Sequence, residues 1–118
     1  MKNSENPIMD LSLDFSIDTI DFTELLESKR KFVVANQLLK SATSIGANVR
    51  EAQNAESKAD FIHKMKIAAK EADESKYWFE ICNRAKTYPN PDVNLSNQLD
   101  VITKIISKII GTSKRNLK

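Results

Sequence analysis

The scarcity of backbone breakers constrains this chain more than any other feature. Two glycines, Gly46 and Gly111, and three prolines, Pro7, Pro89 and Pro91, are spread over 118 residues. An all-β sandwich or barrel needs a turn signal about every 8–12 residues, so the sequence predicts an all-α chain of a few long helices. Its length fits one compact domain over residues 1–118. With 41% hydrophobic and 29% charged residues, the composition is that of a folded protein in water, not a disordered tail.

Apolar spacing divides the chain into four amphipathic segments, near residues 7–28, 32–54, 58–86 and 91–111. Asn6 before Pro7 reads as a cap followed by the first helical residue. In the first segment Ile8, Leu11, Phe15, Phe22 and Leu26 share a face, while Met9, Leu13, Ile17 and Ile20 form a second apolar stripe beside Asp10, Asp14, Asp18 and Asp21. One core needs one face, so the second stripe, which includes Leu13, is expected to be covered by another element or by a neighbouring subunit, and is a candidate interface. Lys29, Arg30 and Lys31 mark the first turn. The second segment places Val34, Leu38, Ser41, Ile45, Asn48 and Ala52 inward. Ala35, Ala42, Gly46 and Ala47 leave room for close backbone approach.

Ser57 and Asp60 resemble a capping box for the third segment. Phe61, Met65, Ala68, Ala72, Ser75, Phe79 and Cys82 form its inner face, and Ile67, Trp78, Ile81 and Ala85 gather on the other side as a second candidate interface. Asn90 and Pro91 repeat the cap-then-proline start. Leu95, Leu99, Ile102, Ile106 and Ile109 make the fourth core stripe, widened by Val101, Ile105 and Ile110. Gly111 is expected to end that helix ahead of a fraying basic tail, Lys114, Arg115 and Lys118. Short connections imply antiparallel neighbours and an up-down-up-down four-helix bundle.

The inventory speaks against catalysis. A carboxylate-bridged metal pair requires Glu-x-x-His on each of two helices, and the chain has one His; Asp60 with His63 and Glu71 with Glu74 fall on a charged side. Cys82 lies on an apolar stripe with no base spaced to activate it, and a lone thiol makes no internal disulfide, which is compatible with the cytoplasm. The two glycines stand too far apart for a phosphate loop. The expectation is a non-enzyme without cofactor, metal or small-molecule substrate. The first 20 residues carry three Asp, unlike a secretory signal, and no apolar run approaches the ~18 residues of a membrane span. Ser41, Ser44, Asn48 and Glu51 form a polar stripe on the second helix, readable as a register-fixing seam or as a polar pocket.

Charge is polarised along the chain. Residues 1–28 hold one Lys and seven acids, a balance of −6, and residues 29–118 hold 17 basic and nine acidic residues, a balance of +8. Lys58, Lys64, Lys66 and Lys70 on the third helix, with Lys104, Lys108, Lys114 and Arg115 on the fourth, are candidate contacts for RNA or DNA phosphates. No recognition-helix motif accompanies them, so such binding would follow the backbone and be sensitive to salt. A protein-interaction assembly without nucleic-acid binding is the competing reading.

The central segment is more distinctive than generic amphipathic helices. Gln37, Leu38 and Leu39, then Ser44 to Ala52, Ala55 to Phe61, Ala69 to Ala72, and Tyr77 with Trp78 resemble the four-helix-bundle family of bacterial 23S rRNA intervening-sequence proteins. Related accessory proteins serve diversity-generating retroelements beside a reverse transcriptase. The resemblance implies an antiparallel bundle assembled into a ring, typically a homopentamer, with no catalytic residues. In the retroelement branch it implies nucleic-acid or reverse-transcriptase binding by a basic surface. The acidic first helix departs from what a strongly basic nucleic-acid binder would carry.

Overall fold

The computed structural model describes residues 6–116 as four α-helices, α1 Pro7–Ser28, α2 Phe32–Ala52, α3 Lys58–Arg84 and α4 Val93–Arg115. Each helix packs against its neighbours in sequence and α4 closes onto α1, whereas the diagonal pairs do not meet at the backbone. This is the all-α antiparallel bundle. Its register is fixed by contacts that run in opposite senses: Ser41 to Ser75 and Glu51 to Lys64 across α2–α3, and Lys58 to Asn116 and Lys76 to Asp100 across α3–α4. Side chains fill the centre across the diagonal. The Phe79 ring stands edge-on to both Phe15 and Phe22, at centroid distances of 6.2 Å.

The helix ends follow hydrogen-bonding chemistry that differs in places from the simplest sequence rules. Asn6 makes no side-chain cap; its carbonyl accepts from the amides of Met9 and Asp10, and Pro7 supplies the start. At the other end of α1, Arg30 adopts the left-handed region with φ 64°. Its amide donates to the Glu27 carbonyl and that of Lys31 to the Leu26 carbonyl, a Schellman closure built without glycine. Ser57 Oγ accepts from the Asp60 amide at 3.0 Å, as a capping box requires. The Asp60 carboxylate, however, reaches one residue further back, to the amide of Glu56 at 3.2 Å.

α4 begins two residues later than the Asn90–Pro91 pair suggests. Asp92 is the cap, its Oδ1 accepting from the Leu95 amide at 2.7 Å, which leaves Pro91 buried ahead of the helix. Gly111 does not end α4. It takes no positive φ and the helix continues through Lys114 and Arg115, while Lys118 lies outside the described residues. α2 and α3 each stop two residues short of the expected ends, at Ala52 and Arg84.

The core joins the apolar faces of all four helices, with small polar side chains set among them. α1 buries Ser12, Thr19 and Thr23 beside Ile8, Phe15, Phe22 and Leu26. Their hydroxyls donate to carbonyls one turn back, Thr19 to Phe15 at 2.7 Å, so no water is required. Leu11 is half-buried at the rim of that face. Val49 and Ile62 occupy positions that heptad spacing assigns to Asn48 and Phe61, and both of those are half-buried instead. A straight helix drifts against a strict seven-residue repeat, and these one-residue displacements are its signature. Gly46 faces Ser12 of α1, with an ideal Cβ lying 3.4 Å from Ser12 Oγ and 3.5 Å from its carbonyl oxygen.

Candidate nucleic-acid interface

Antiparallel packing brings two stretches far apart in sequence to the same end of the bundle, the first turns of α3 and the last turns of α4. Lys58 Nζ donates to the Asn116 carbonyl at 3.4 Å, tying the two ends together. Arg115 is held by Thr112, whose hydroxyl accepts from the guanidinium at 3.2 Å, and it lies over the bare backbone of Gly111. Lys66 lies beside Lys114. The neighbouring positive charge of Lys114 is the main cause that holds the Lys66 ammonium below its ordinary value. Lys70, Lys104 and Lys108 are exposed further along the same two helices, the last two one turn apart. Residues 101–116 contain no acid at all.

Lys64 is set apart from this group. It projects toward α2, half-buried, with its ammonium 3.9 Å from Glu51. Of the eight cations named from the sequence, Lys64 forms an ion pair and the other seven form none within 4 Å among the described residues, although Lys70 lies near enough to Glu71 to act on its carboxyl. The far limit of the basic face is Lys76, which the sequence reading did not single out; Asp100 neutralises it at 3.8 Å. His63 belongs to the same side of α3. It is exposed and shares a helical stripe with Lys66 and Lys70 at spacings of three and seven, a signal already present in the sequence.

The polar stripe of α2 divides. Ser41 is fully buried and its hydroxyl lies 2.9 Å from that of Ser75, a seam between α2 and α3 in which one hydroxyl donates to the other and the second donates to a carbonyl of its own helix, Leu38 or Glu71. Asn48 folds back onto the Ser44 carbonyl of its own helix. Neither lines the shallow groove on α2, of about 280 Å³, which opens on the α1 side around Thr43, Gly46 and Ala47. Glu71 next to Ser75 has its carboxyl pushed above the ordinary range by burial first and by Glu74 second, against the pull of Lys40 and Lys70. Cys82 is completely buried, which raises its thiol to about 11 and leaves it a packing residue. No three His, Cys, Asp or Glu side chains group as metal ligands among the described residues, and none of the helices is long and apolar enough to cross a membrane.

The two candidate subunit interfaces fare differently. On α1, Leu13, Ile17 and Ile20 stand 47%, 52% and 41% exposed, an apolar ridge with nothing over it in the single chain. The α3 patch is not comparable. Trp78 and Ile81 are half-buried and pack against this chain's own core, with the Trp78 indole donating to Glu74 at 3.2 Å and the Tyr77 ring edge-on at 5.3 Å. Trp78 and Ile81 thus offer less free apolar surface in the single chain than the α1 stripe does, and the exposed aromatic beside them is Tyr77.

Residues 4–108 match the family model described as 23S rRNA-intervening sequence protein. Among solved structures, the chain is similar to a protein of unknown function from the S23 ribosomal protein family of Bacteroides thetaiotaomicron VPI-5482. Identity is 39%, with a TM-score of 0.80, over 87% of this chain and 97% of that one. No curated protein matches.

Proposed function

The chain belongs to the 23S rRNA-intervening sequence protein family, and from that premise we propose that it is a non-catalytic accessory bundle. In this reading it self-associates and offers its α3–α4 cations to the phosphate backbone of RNA or DNA. One observation carries the proposal: among the described residues seven cations of two adjacent helices form no ion pair, and residues 101–116 contribute no acid. A surface with that imbalance attracts a polyanion and sheds its counterions on binding. The buried thiol of Cys82 and the solitary His63 support the absence of a catalytic role. A bacterial cytoplasmic setting belongs to the same reading.

The test is retention of a labelled single-stranded RNA by the full chain. Binding is expected near 50 mM salt and is expected to fall by orders of magnitude toward 200 mM, about as phosphate contacts require. No retention of RNA or DNA at the lower salt removes the nucleic-acid part of the proposal. A second reading has its own support in the apolar ridge of α1: an assembly, a homopentameric ring by family resemblance, that engages only polypeptides, among them a reverse transcriptase. A partner complex that survives nuclease and high salt favours it.

A further inference from the structure

The apolar ridge of α1 and the shallow groove beside it lie on one face of the bundle. Leu13 is both a large side chain of the ridge and a wall of the groove, whose other wall is the outer surface of α2 at Thr43, Gly46 and Ala47. α1 thus offers bulky apolar side chains where α2 offers small ones, and the two stand at the same height, since Gly46 faces Ser12. Charge divides the helices in the same way. α1 carries six carboxylates and no cation over Pro7–Ser28. α2 carries Lys40, Arg50 and Glu51, and Glu51 already pairs with Lys64. Lys40 and Arg50 are exposed and form no ion pair among the described residues.

These features complement one another between copies. A ridge set against another ridge brings two acidic helices together, whereas a ridge laid on α2 brings its carboxylates beside Lys40 and Arg50. A neighbour related by rotation about an axis along the bundle keeps each residue at its own height. Its α1 then runs antiparallel to this α2, as the chain's own α1 does, which is the favourable sense for two helix dipoles. The register that sets Ser12 opposite Gly46 brings residue 13 of the neighbour level with residue 45, residue 17 with 41 and residue 21 with 37. We propose that the α1 ridge of a second copy of this chain packs on the outer face of α2, with Leu13 in the groove at Gly46 and Ala47, Ile17 against Thr43 and Leu39, and Asp21 beside Lys40. The inference rests on the self-association in the reading above and assigns the surfaces through which copies join. A nucleic-acid strand does not suit this face, because the α1 carboxylates repel it.

The experiment follows self-association of the full chain by sedimentation over a concentration series, with helical circular dichroism confirming the fold of each variant. Ala47→Trp fills the groove at an exposed position and is expected to weaken association by about tenfold or more. Ser107→Trp, exposed on α4 and diagonal to α2, is expected to leave it unchanged. Lys40→Glu and Asp21→Lys are each expected to weaken association about three- to tenfold, and the two together in one chain to restore it to within about twofold of the starting value. The two residues do not meet within a chain: Lys40 acts on Glu71 on the α3 side of α2, and Asp21 lines a groove between α1 and α4. Recovery in the double variant therefore reports a contact between copies, and Ala47→Trp tests the shape of the seat independently of the charges. Undiminished association of Ala47→Trp, or losses that multiply in the double charge variant, overturns this docking while leaving self-association standing. A wild-type chain that runs as one subunit at micromolar concentration removes both claims.

Discussion

At the residue scale, burial decides what the titratable side chains do. Cys82 has no exposed surface and a thiol pushed up to about 11, so at pH 8 the thiolate is scarce and shielded. The native protein is expected to resist an aromatic disulfide reagent for hours and to react within minutes once denatured; rapid modification of the native state would contradict the packing. Glu71 behaves in the opposite sense to a stabilising carboxylate. Its folded value lies above the unfolded one, so the folded state holds the proton more tightly. The associated stability is complete below the ordinary Glu range and is lost as pH rises through the raised value. Glu71→Gln is therefore expected to raise Tm by about 1–2 °C at pH 7 and to make no difference near pH 3, as read by thermal denaturation. The lone thiol's fate was legible from its place on an apolar stripe. The Glu71 effect was not, because it depends on how closely α2 covers that side of α3.

At the scale of the element, the periodicity of apolar residues set out the four helices, while their ends depended on which side chain reaches which amide. Asn90 and Asp92 are both suitable caps two positions apart, and only the hydrogen bond to Leu95 separates them. Asp92→Ala is expected to cost about 1 kcal/mol in chemical denaturation, against almost nothing for Asn90→Ala. The first turn carries a stored penalty: Arg30 holds a left-handed conformation that glycine adopts without strain. Arg30→Gly is expected to stabilise the chain by about 0.5–1 kcal/mol, and a loss of stability would show that the Arg30 side chain contributes more than its backbone costs. Gly46 was legible as a place of close backbone approach, but not how close. It does sit where α1 comes close, yet a methyl group there would meet Ser12 at ordinary contact distance, so the position tolerates alanine.

At the scale of the whole molecule, the unresolved balance is between greasy surface and the core available to hide it. The sequence identified two apolar stripes in excess of one core, and they differ in the single chain: Trp78 and Ile81 are half-buried against their own core, whereas Leu13, Ile17 and Ile20 remain exposed on successive turns of α1. No pattern in a single helix distinguishes these cases, since both read as a second face and only how far neighbouring side chains cover each one decides. The distinction yields opposite expectations for two kinds of substitution. Leu13→Asp and Ile17→Asp place a charge on a surface already wet in the single chain, so they are expected to leave Tm of the separated subunit nearly unchanged and to shift the mass in light scattering to that of one subunit. Trp78→Ala removes packing from within the bundle and is expected to destabilise the fold by about 2–3 kcal/mol without favouring the smaller species. If the ridge variants keep the wild-type mass, the α1 stripe is not what joins copies; if the wild-type chain already runs as one subunit at micromolar concentration, the proposed ring fails and the basic face would have to act from a monomer.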